Sequence, residues 1–225
     1  MLIDTRTLIF VLCLGNLVVG ALMIAIARPP GRSSAGRLWT MAKIAQGIAF
    51  ALLALRDMIP GYLSILFSNA ALLTGFSLEF AASWDFLRLG AWRRTFPILA
   101  PLGVAVYFIA YAFGGDSSTR ILAITLLTGV VFGLTAAGFV ARWRALSIVG
   151  RAVGVTYAAV AVAALVRAVW IGQSGTTALT ANVPQQILVF GTLYLFMLVS
   201  GFGFLMLGIH LSIHDVQHQE GYGGD

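Results

Sequence analysis

Three polar residues, Lys43, Gln46 and Glu79, lie within apolar stretches of the chain, where ionisable groups are costly and often functional. Lys43 and Gln46 are three residues apart and share one face of a helix. A tight turn joins their segment to the one that carries Glu79, so we expect antiparallel neighbours and a Lys43–Glu79 pair. Such a pair can act as a proton or ion switch. The alternatives are a structural pair, or a lysine that extends to the interface while Glu79 accepts a hydrogen bond.

A second polar group is expected near the opposite ends of the helices. Arg167 can bind an anionic ligand, pair with Asp57 or Asp116, or extend to the interface. Other polar side chains can line a ligand pocket with it, or form hydrogen bonds between helices instead. These side chains are Asn69, Tyr107, Tyr111 and Tyr157.

Three histidines, His210, His214 and His218, follow the last apolar stretch at a spacing of four residues. On a continuous helix they form one stripe, and histidines four apart can bind zinc or copper. The alternative is a polar helix end, where histidine interacts favourably with the helix dipole. No cofactor is expected.

The composition is that of a polytopic membrane protein. Hydrophobic residues make up 60% of the 225 residues and charged residues 10%, whereas a soluble domain has about a quarter charged residues. The net charge of +6 does not indicate nucleic-acid binding, because the basic residues are spread between apolar segments. The chain has no Gly-x-Ser-x-Gly, P-loop or His-Glu-x-x-His motif, so we do not expect an enzyme.

The apolar segments predict an all-α fold, a bundle of seven transmembrane helices over residues 1–209 with a cytoplasmic tail over 210–225. Cleavage after the Ala-Ile-Ala that ends the first segment would leave six spans, but its long apolar core and the following "RPPGR" favour a retained helix. The predicted spans are residues 7–27, 38–55, 62–83, 95–113, 121–141, 152–170 and 185–209.

The basic residues predict the orientation. Ten of the fourteen lie in or beside the first, third and fifth loops. Because positive residues stay in the cytoplasm, the N-terminus is expected outside and the C-terminus inside. The ten are Arg28, Arg32, Arg37, Lys43, Arg88, Arg93, Arg94, Arg142, Arg144 and Arg151.

Four segments carry a family resemblance: "DTRTLIFVLCLGNLVVGALMIAIAR", "ALLALRDMIPGYLSILFSNAALLTGFSLEFAASWDFLR", "YAAVAVAALVRAVW" and "LFMLVSGFGFLMLGIHLS". Through them the chain, from residue 4 to about residue 213, resembles the multi-span N-terminal input regions of bacterial GGDEF-type diguanylate cyclases. The resemblance implies an inner-membrane region that senses a signal and passes it along the last helix. Fifteen residues follow His210, so we expect no cyclase domain and interpret the final Gly-Gly-Asp as coincidence.

Two functional hypotheses follow. The first is a sensory or signalling input module without catalysis, whose partners are the lipid bilayer, a small-molecule or lipid ligand, and a cytoplasmic signalling protein or a second copy of the chain. The second is a small transporter or channel that uses Lys43, Gln46 and Glu79. A membrane enzyme acting on lipid is a minor alternative, because no acid–base pair lies near a set of metal ligands.

Overall fold

The computed structural model describes residues 5–26, 34–113, 117–174, 189–203 and 206, and within them it is helical, without strands. Each predicted span overlaps one helix. The helices are α1 (Thr5–Ile26), α2 (Ser34–Ala54), α3 (Ser68–Phe86), α4 (Trp92–Phe113), α5 (Ser117–Ala141), α6 (Ile148–Ser174) and α7 (Val189–Gly203).

Within the described residues, five helical stretches are long and apolar enough to cross a membrane, which is consistent with a helical membrane protein: Thr5–Ala25, Tyr62–Phe86, Trp92–Phe113, Ser117–Ala141 and Ile148–Gln173. A helix satisfies all its backbone hydrogen bonds internally, as a lipid environment requires. The α2 helix is not among the five, and it carries Arg37, Lys43 and Gln46. The α7 helix is apolar but is described over a shorter length.

The turn between α2 and α3 makes these helices antiparallel. Asp57 adopts a φ of 75°, a conformation that Asp tolerates better than most residues. Its carboxylate accepts a hydrogen bond of 2.7 Å from Arg6 of α1, so the turn is also linked to the first helix. A π-helical segment, Tyr62–Phe67, then leads directly into α3.

At the opposite end of the bundle, Asp85 joins three helices. Its carboxylate accepts hydrogen bonds from the hydroxyl of Ser34, the first residue of α2, and from the indole of Trp92, the first residue of α4. Asp85 itself belongs to the last turn of α3. This carboxylate therefore fixes where α2 and α4 begin relative to the end of α3.

The α2 and α3 helices pack closely because a glycine lies at their contact. A Cβ atom at Gly75 would lie 2.8 Å from Cγ of Gln46 and 3.1 Å from the carbonyl oxygen of Ala42. Glycine therefore lets the backbone of α3 approach that of α2. The close approach brings the polar face of α2 against the middle of α3.

Aromatic side chains form the core where α3, α5, α6 and α7 meet. They are Phe76, Phe80, Phe132, Phe139, Tyr157 and Phe196, all buried. The α4 helix lies at the periphery of this core and buries little of its surface. Its large apolar side chains, such as Ile98, Leu102 and Ile109, are exposed in the protein, as expected for a helix that faces lipid.

Candidate functional sites

The first site is a buried polar network, formed by Lys43, Gln46, Glu79, Ser83 and Tyr157. At its centre the Lys43 ammonium lies 3.0 Å and 3.1 Å from the two carboxylate oxygens of Glu79. The exposed fractions of the two side chains are 0% and 2%. Lys43 is nine residues from the start of α2, or about 13 Å along the helix. This burial excludes a lysine that extends to the interface.

Every hydrogen-bonding position of the ion pair is occupied. The ammonium has three donors, and its third acceptor is Oε1 of Gln46, at 3.1 Å. Nε2 of Gln46 in turn donates to Oε2 of Glu79 at 2.6 Å. The hydroxyl of Tyr157 donates to Oε1 of Glu79 at 2.9 Å. Glu79 thus accepts four hydrogen bonds, about the full capacity of a carboxylate.

Ser83 completes the network one helical turn beyond Glu79. Its hydroxyl lies 3.3 Å from that of Tyr157. Because the single proton of Tyr157 is donated to Glu79, we infer that Ser83 is the donor. The network therefore connects α2, α3 and α6 through charged and polar groups that satisfy one another.

Aromatic rings surround the ammonium group. It lies 5.1 Å from the ring centroid of Trp39, one turn earlier in α2, and 5.5 Å from that of Phe196 in α7. A cation over a ring face gains attraction that strengthens when water is excluded. The α7 helix thus contacts the network through a ring, whereas α2, α3 and α6 contribute its hydrogen bonds.

The second site is a cavity of about 90 Å³ that is lined by residues of α2, α3, α5, α6 and α7. Asn69 of α3 and Arg167 of α6 both line it, so the structure brings together two of the predicted pocket residues. Most of the remaining lining is apolar and includes Phe76, Val160 and Leu193. The cavity therefore combines an apolar interior with one cationic side chain.

The three predicted tyrosines do not line the cavity. Tyr107 lies behind it, and its hydroxyl accepts a hydrogen bond of 2.7 Å from Asn69. Tyr111 stacks with Arg120, whose guanidinium carbon is 5.3 Å from the ring centroid. Tyr157 lies ten residues before Arg167, or about 15 Å along α6, which places it away from the cavity. It belongs to the polar network, where it donates to Glu79.

The predicted metal residues His210, His214 and His218, and the cytoplasmic tail, lie outside the described residues. Elsewhere, across residues 5–26, 34–113, 117–174 and 189–203, no group of three metal-binding side chains comes together.

The two sites share four helices, α2, α3, α6 and α7. From the cavity to the network, α3 runs from Phe76 to Glu79, α6 from Val160 to Tyr157, and α7 from Leu193 to Phe196. Phe132 of α5 packs between the cavity and the network, with its ring edge-on or tilted to its neighbours. Its ring centroid is 4.8 Å from that of Phe76, 5.7 Å from that of Tyr157 and 4.9 Å from that of Phe196. Continuous aromatic packing thus connects the cavity to the network.

Sequence reasoning did not identify Trp39, Ser83 and Phe196 at the network or Thr125 at the cavity. Two of these residues carried a signal, because Trp39 lies four residues before Lys43 and Ser83 four residues after Glu79, on the same helix faces. No such signal marks Phe196 or Thr125, because residues of these types occur on every face of an apolar helix.

We predict that Lys43 and Glu79 are strongly coupled in stability. Lys43→Met alone should lower the free energy of unfolding by about 3–5 kcal/mol, because it leaves a buried carboxylate without its cation. Adding Glu79→Gln should recover at least half of this loss, because the glutamine side chain can still accept from Tyr157 and pair with Gln46. Unfolding in detergent, followed by circular dichroism for both single variants and the double variant, gives the coupling energy.

The ion pair between Arg6 and Asp57 is the matched control. Its side chains are 54% and 63% exposed, so Arg6→Gln should cost about 0–1 kcal/mol. Equal losses for Lys43→Met and Arg6→Gln, or additive effects in the Lys43/Glu79 cycle, would contradict the prediction.

Comparisons with protein-family models, with curated proteins and with solved structures found no match to the chain. The resemblance to cyclase input regions therefore stays a prediction from the sequence. Functional inference has to come from the geometry of the network and the cavity.

Proposed function

We propose that the protein is a sensory input module of the bacterial inner membrane, without catalysis of its own. A ligand occupies the cavity, changes the position of α7, and a cytoplasmic partner or a second copy of the chain responds. The observation that carries the proposal is that α7 lines the cavity and also packs on the polar network.

The unequal attachment of the helices supports a moving α7. An ion pair and its hydrogen bonds connect α2, α3 and α6, and sliding these helices apart would separate buried charges. Phe196 of α7 contacts the same network through ring packing, with centroids 4.9 Å from Phe132 and 5.0 Å from Tyr157. Ring contacts tolerate displacement better than buried charge pairs do, so among the helices that contact Lys43 and Glu79, α7 is the one most readily moved.

The cavity supplies the thermodynamic requirement for such a response. A ligand shifts an equilibrium only as far as it binds one packing better than the other. The lining includes Phe190 and Leu193 of α7, so an occupant contacts the helix that has to move. Because the cavity lies between five helices and includes α7, its position supports a ligand that changes the helix packing rather than one that binds without moving a helix.

The proposal includes seven spans, an external N-terminus and a cytoplasmic C-terminus. The cavity would then lie toward the outside and the network toward the cytoplasm. Placing Arg88, Arg93 and Arg94 on the cytoplasmic side follows the positive-inside rule. Signals arriving from outside or from the bilayer would thus reach the cavity first.

Thiol labelling tests this orientation. Gly61→Cys, in the turn before α3, should react with a membrane-impermeant maleimide added to intact spheroplasts, whereas Gly90→Cys, in the turn after α3, should react only after lysis. Both glycines are exposed with open space around them. The native Cys13 is buried and serves as the unlabelled background. Labelling of both positions, or the reverse pattern, would contradict the orientation.

Filling the cavity should move α7. We expect Ala163→Leu, at the cavity wall, to shift the distance between spin labels at Leu102→Cys on α4 and Leu195→Cys on α7 by about 1–2 Å, the usual scale of helix shifts. Double electron–electron resonance in a Cys13→Ala background measures the distance.

Two controls define the α7 experiment. Val162→Leu adds bulk at the neighbouring, exposed position and should change nothing. Labels at Leu102→Cys and at the exposed Val155→Cys of α6 should keep their distance when the cavity is filled. No shift with Ala163→Leu, or equal shifts for α6 and α7, would overturn the proposal.

The buried ion pair favours a small transporter or channel as the second candidate function, because ionisable residues inside membrane helices often mark ion pathways. The occupied donors and acceptors of the network leave no position for a passing ion. We therefore expect proton flux into proteoliposomes, followed with a pH-sensitive dye, to equal that of empty liposomes. Flux that Glu79→Gln abolishes would establish transport instead.

A further inference from the structure

Thr125 of α5 lines the cavity and has a buried hydroxyl without a partner among the described residues. Its side chain is 4% exposed, and its hydroxyl makes no hydrogen bond within the part of the chain that the structure describes. Thr135, ten residues further along α5, instead donates to the carbonyl oxygen of Val131 at 2.8 Å. Buried polar groups are normally satisfied, and each exception points to an unidentified partner. Because Thr125 lines the cavity, an occupant of the cavity could supply that partner.

Arg167 lies at the same level on the neighbouring helix. Gly129 of α5 packs against Ala161 and Ala164 of α6, within 3.9 Å and 3.3 Å of an added Cβ. The two helices are antiparallel. Thr125 lies one turn before Gly129 in α5, and Arg167 lies one turn after Ala164 in α6, so both residues lie on the same side of this contact. A residue with a hydroxyl donor and one with guanidinium donors thus line the cavity at the same level on neighbouring helices.

The rest of the lining suits an aliphatic chain. Beyond the polar end, Phe76, Val160 and Leu193 form apolar walls. Among the described residues that line the cavity, Arg167 is the single ionisable side chain, and its charge is positive. A guanidinium beside the Thr125 hydroxyl suits a monovalent anion, and the apolar walls disfavour a dianion such as phosphate.

The size of the cavity limits the ligand. A single water needs about 10–15 Å³, and an engineered apolar cavity of about 150 Å³ accepts benzene. The volume of about 90 Å³ lies between these values. It accommodates a charged head and a few carbon atoms.

We propose that the cavity binds a carboxylate on a short apolar chain, which accepts hydrogen bonds from Arg167 and Thr125 and lays its chain against Phe76, Val160 and Leu193. This inference rests on the proposed function, because it identifies the ligand class of that site. The carboxylate comes either from a water-soluble short-chain acid or from a fatty acid of the bilayer that inserts its head.

Radiolabelled butyrate, in equilibrium dialysis against the full chain in nanodiscs, tests the proposal. Binding should be saturable, and Arg167→Gln should weaken it about tenfold or more, because a hydrogen bond to a charged group is lost. Thr125→Val should weaken it about threefold or more. Thr125→Ser and Arg167→Lys retain the donors and should keep most of the affinity. Arg120→Gln, a change at an arginine of α5 that does not line the cavity, should have no effect.

Competing ligands distinguish the chemistry and its source. Butyramide, the neutral analogue, should displace butyrate about tenfold less well. Palmitate that competes more strongly than butyrate assigns the ligand to the bilayer, and the reverse order assigns it to water; both results support the carboxylate.

Two results would overturn the carboxylate. The first is that butyramide or butanol binds as well as butyrate, or that Arg167→Gln has no effect. The second is that neither butyrate nor palmitate binds. The spin-label distances with Ala163→Leu separate these outcomes from the proposed function, because a filled cavity would still move α7 if the carboxylate were wrong.

Discussion

The ion pair between Lys43 and Glu79 is the interaction on which the arrangement of the bundle depends. Removing two charges from water costs several kcal/mol per ion, so the pair persists only with excellent geometry and further hydrogen bonds. Gly75 allows the close contact of α2 and α3, Gln46 bonds to both ions, and Tyr157 donates from α6. Each contribution fixes the level of one helix against another. The pair therefore acts as a register constraint, and its conformational specificity is a better reason for its presence than net stabilisation.

Much of this site could be predicted from the sequence, and the limits have physical causes. Polar residues are rare in apolar helices, so the positions of Lys43, Gln46 and Glu79 stood out, and the tight turn between their helices implied their proximity. The role of Tyr157 could not be predicted in the same way, because a tyrosine suits an interface, a pocket or a core equally well. Its place in the network depends on which face of α6 meets α3, and in a helix that is apolar all round the pattern does not define that face.

The fold shows the same division. The existence and approximate extent of the helices could be predicted from the lengths of the apolar segments. Which helices pack together depends on individual contacts, such as those of Asp85, whose carboxylate joins the starts of α2 and α4. The sequence predicted a pocket of Arg167 with Asn69, Tyr107, Tyr111 and Tyr157, and of these only Arg167 and Asn69 line the cavity. Thr125 could not be selected, because a threonine in an apolar helix usually bonds to the preceding turn, as Thr135 does.

The distribution of interaction strengths explains how such a bundle can be rigid and responsive together. Separating α2 from α3 or α6 breaks contacts to buried charges, whereas displacing α7 disturbs ring contacts worth about 0.5–1.5 kcal/mol each. Under the proposed function, a cavity occupant of modest affinity would release enough free energy to displace α7 and too little to separate α2 from α3 or α6. The packing of Phe76 on Phe132 connects the cavity to the network in space, but it does not by itself couple the two sites. Coupling requires an element with two arrangements, and both sites must favour one arrangement over the other. Under the proposed function α7 is that element, because it contacts the cavity through Leu193 and the network through Phe196.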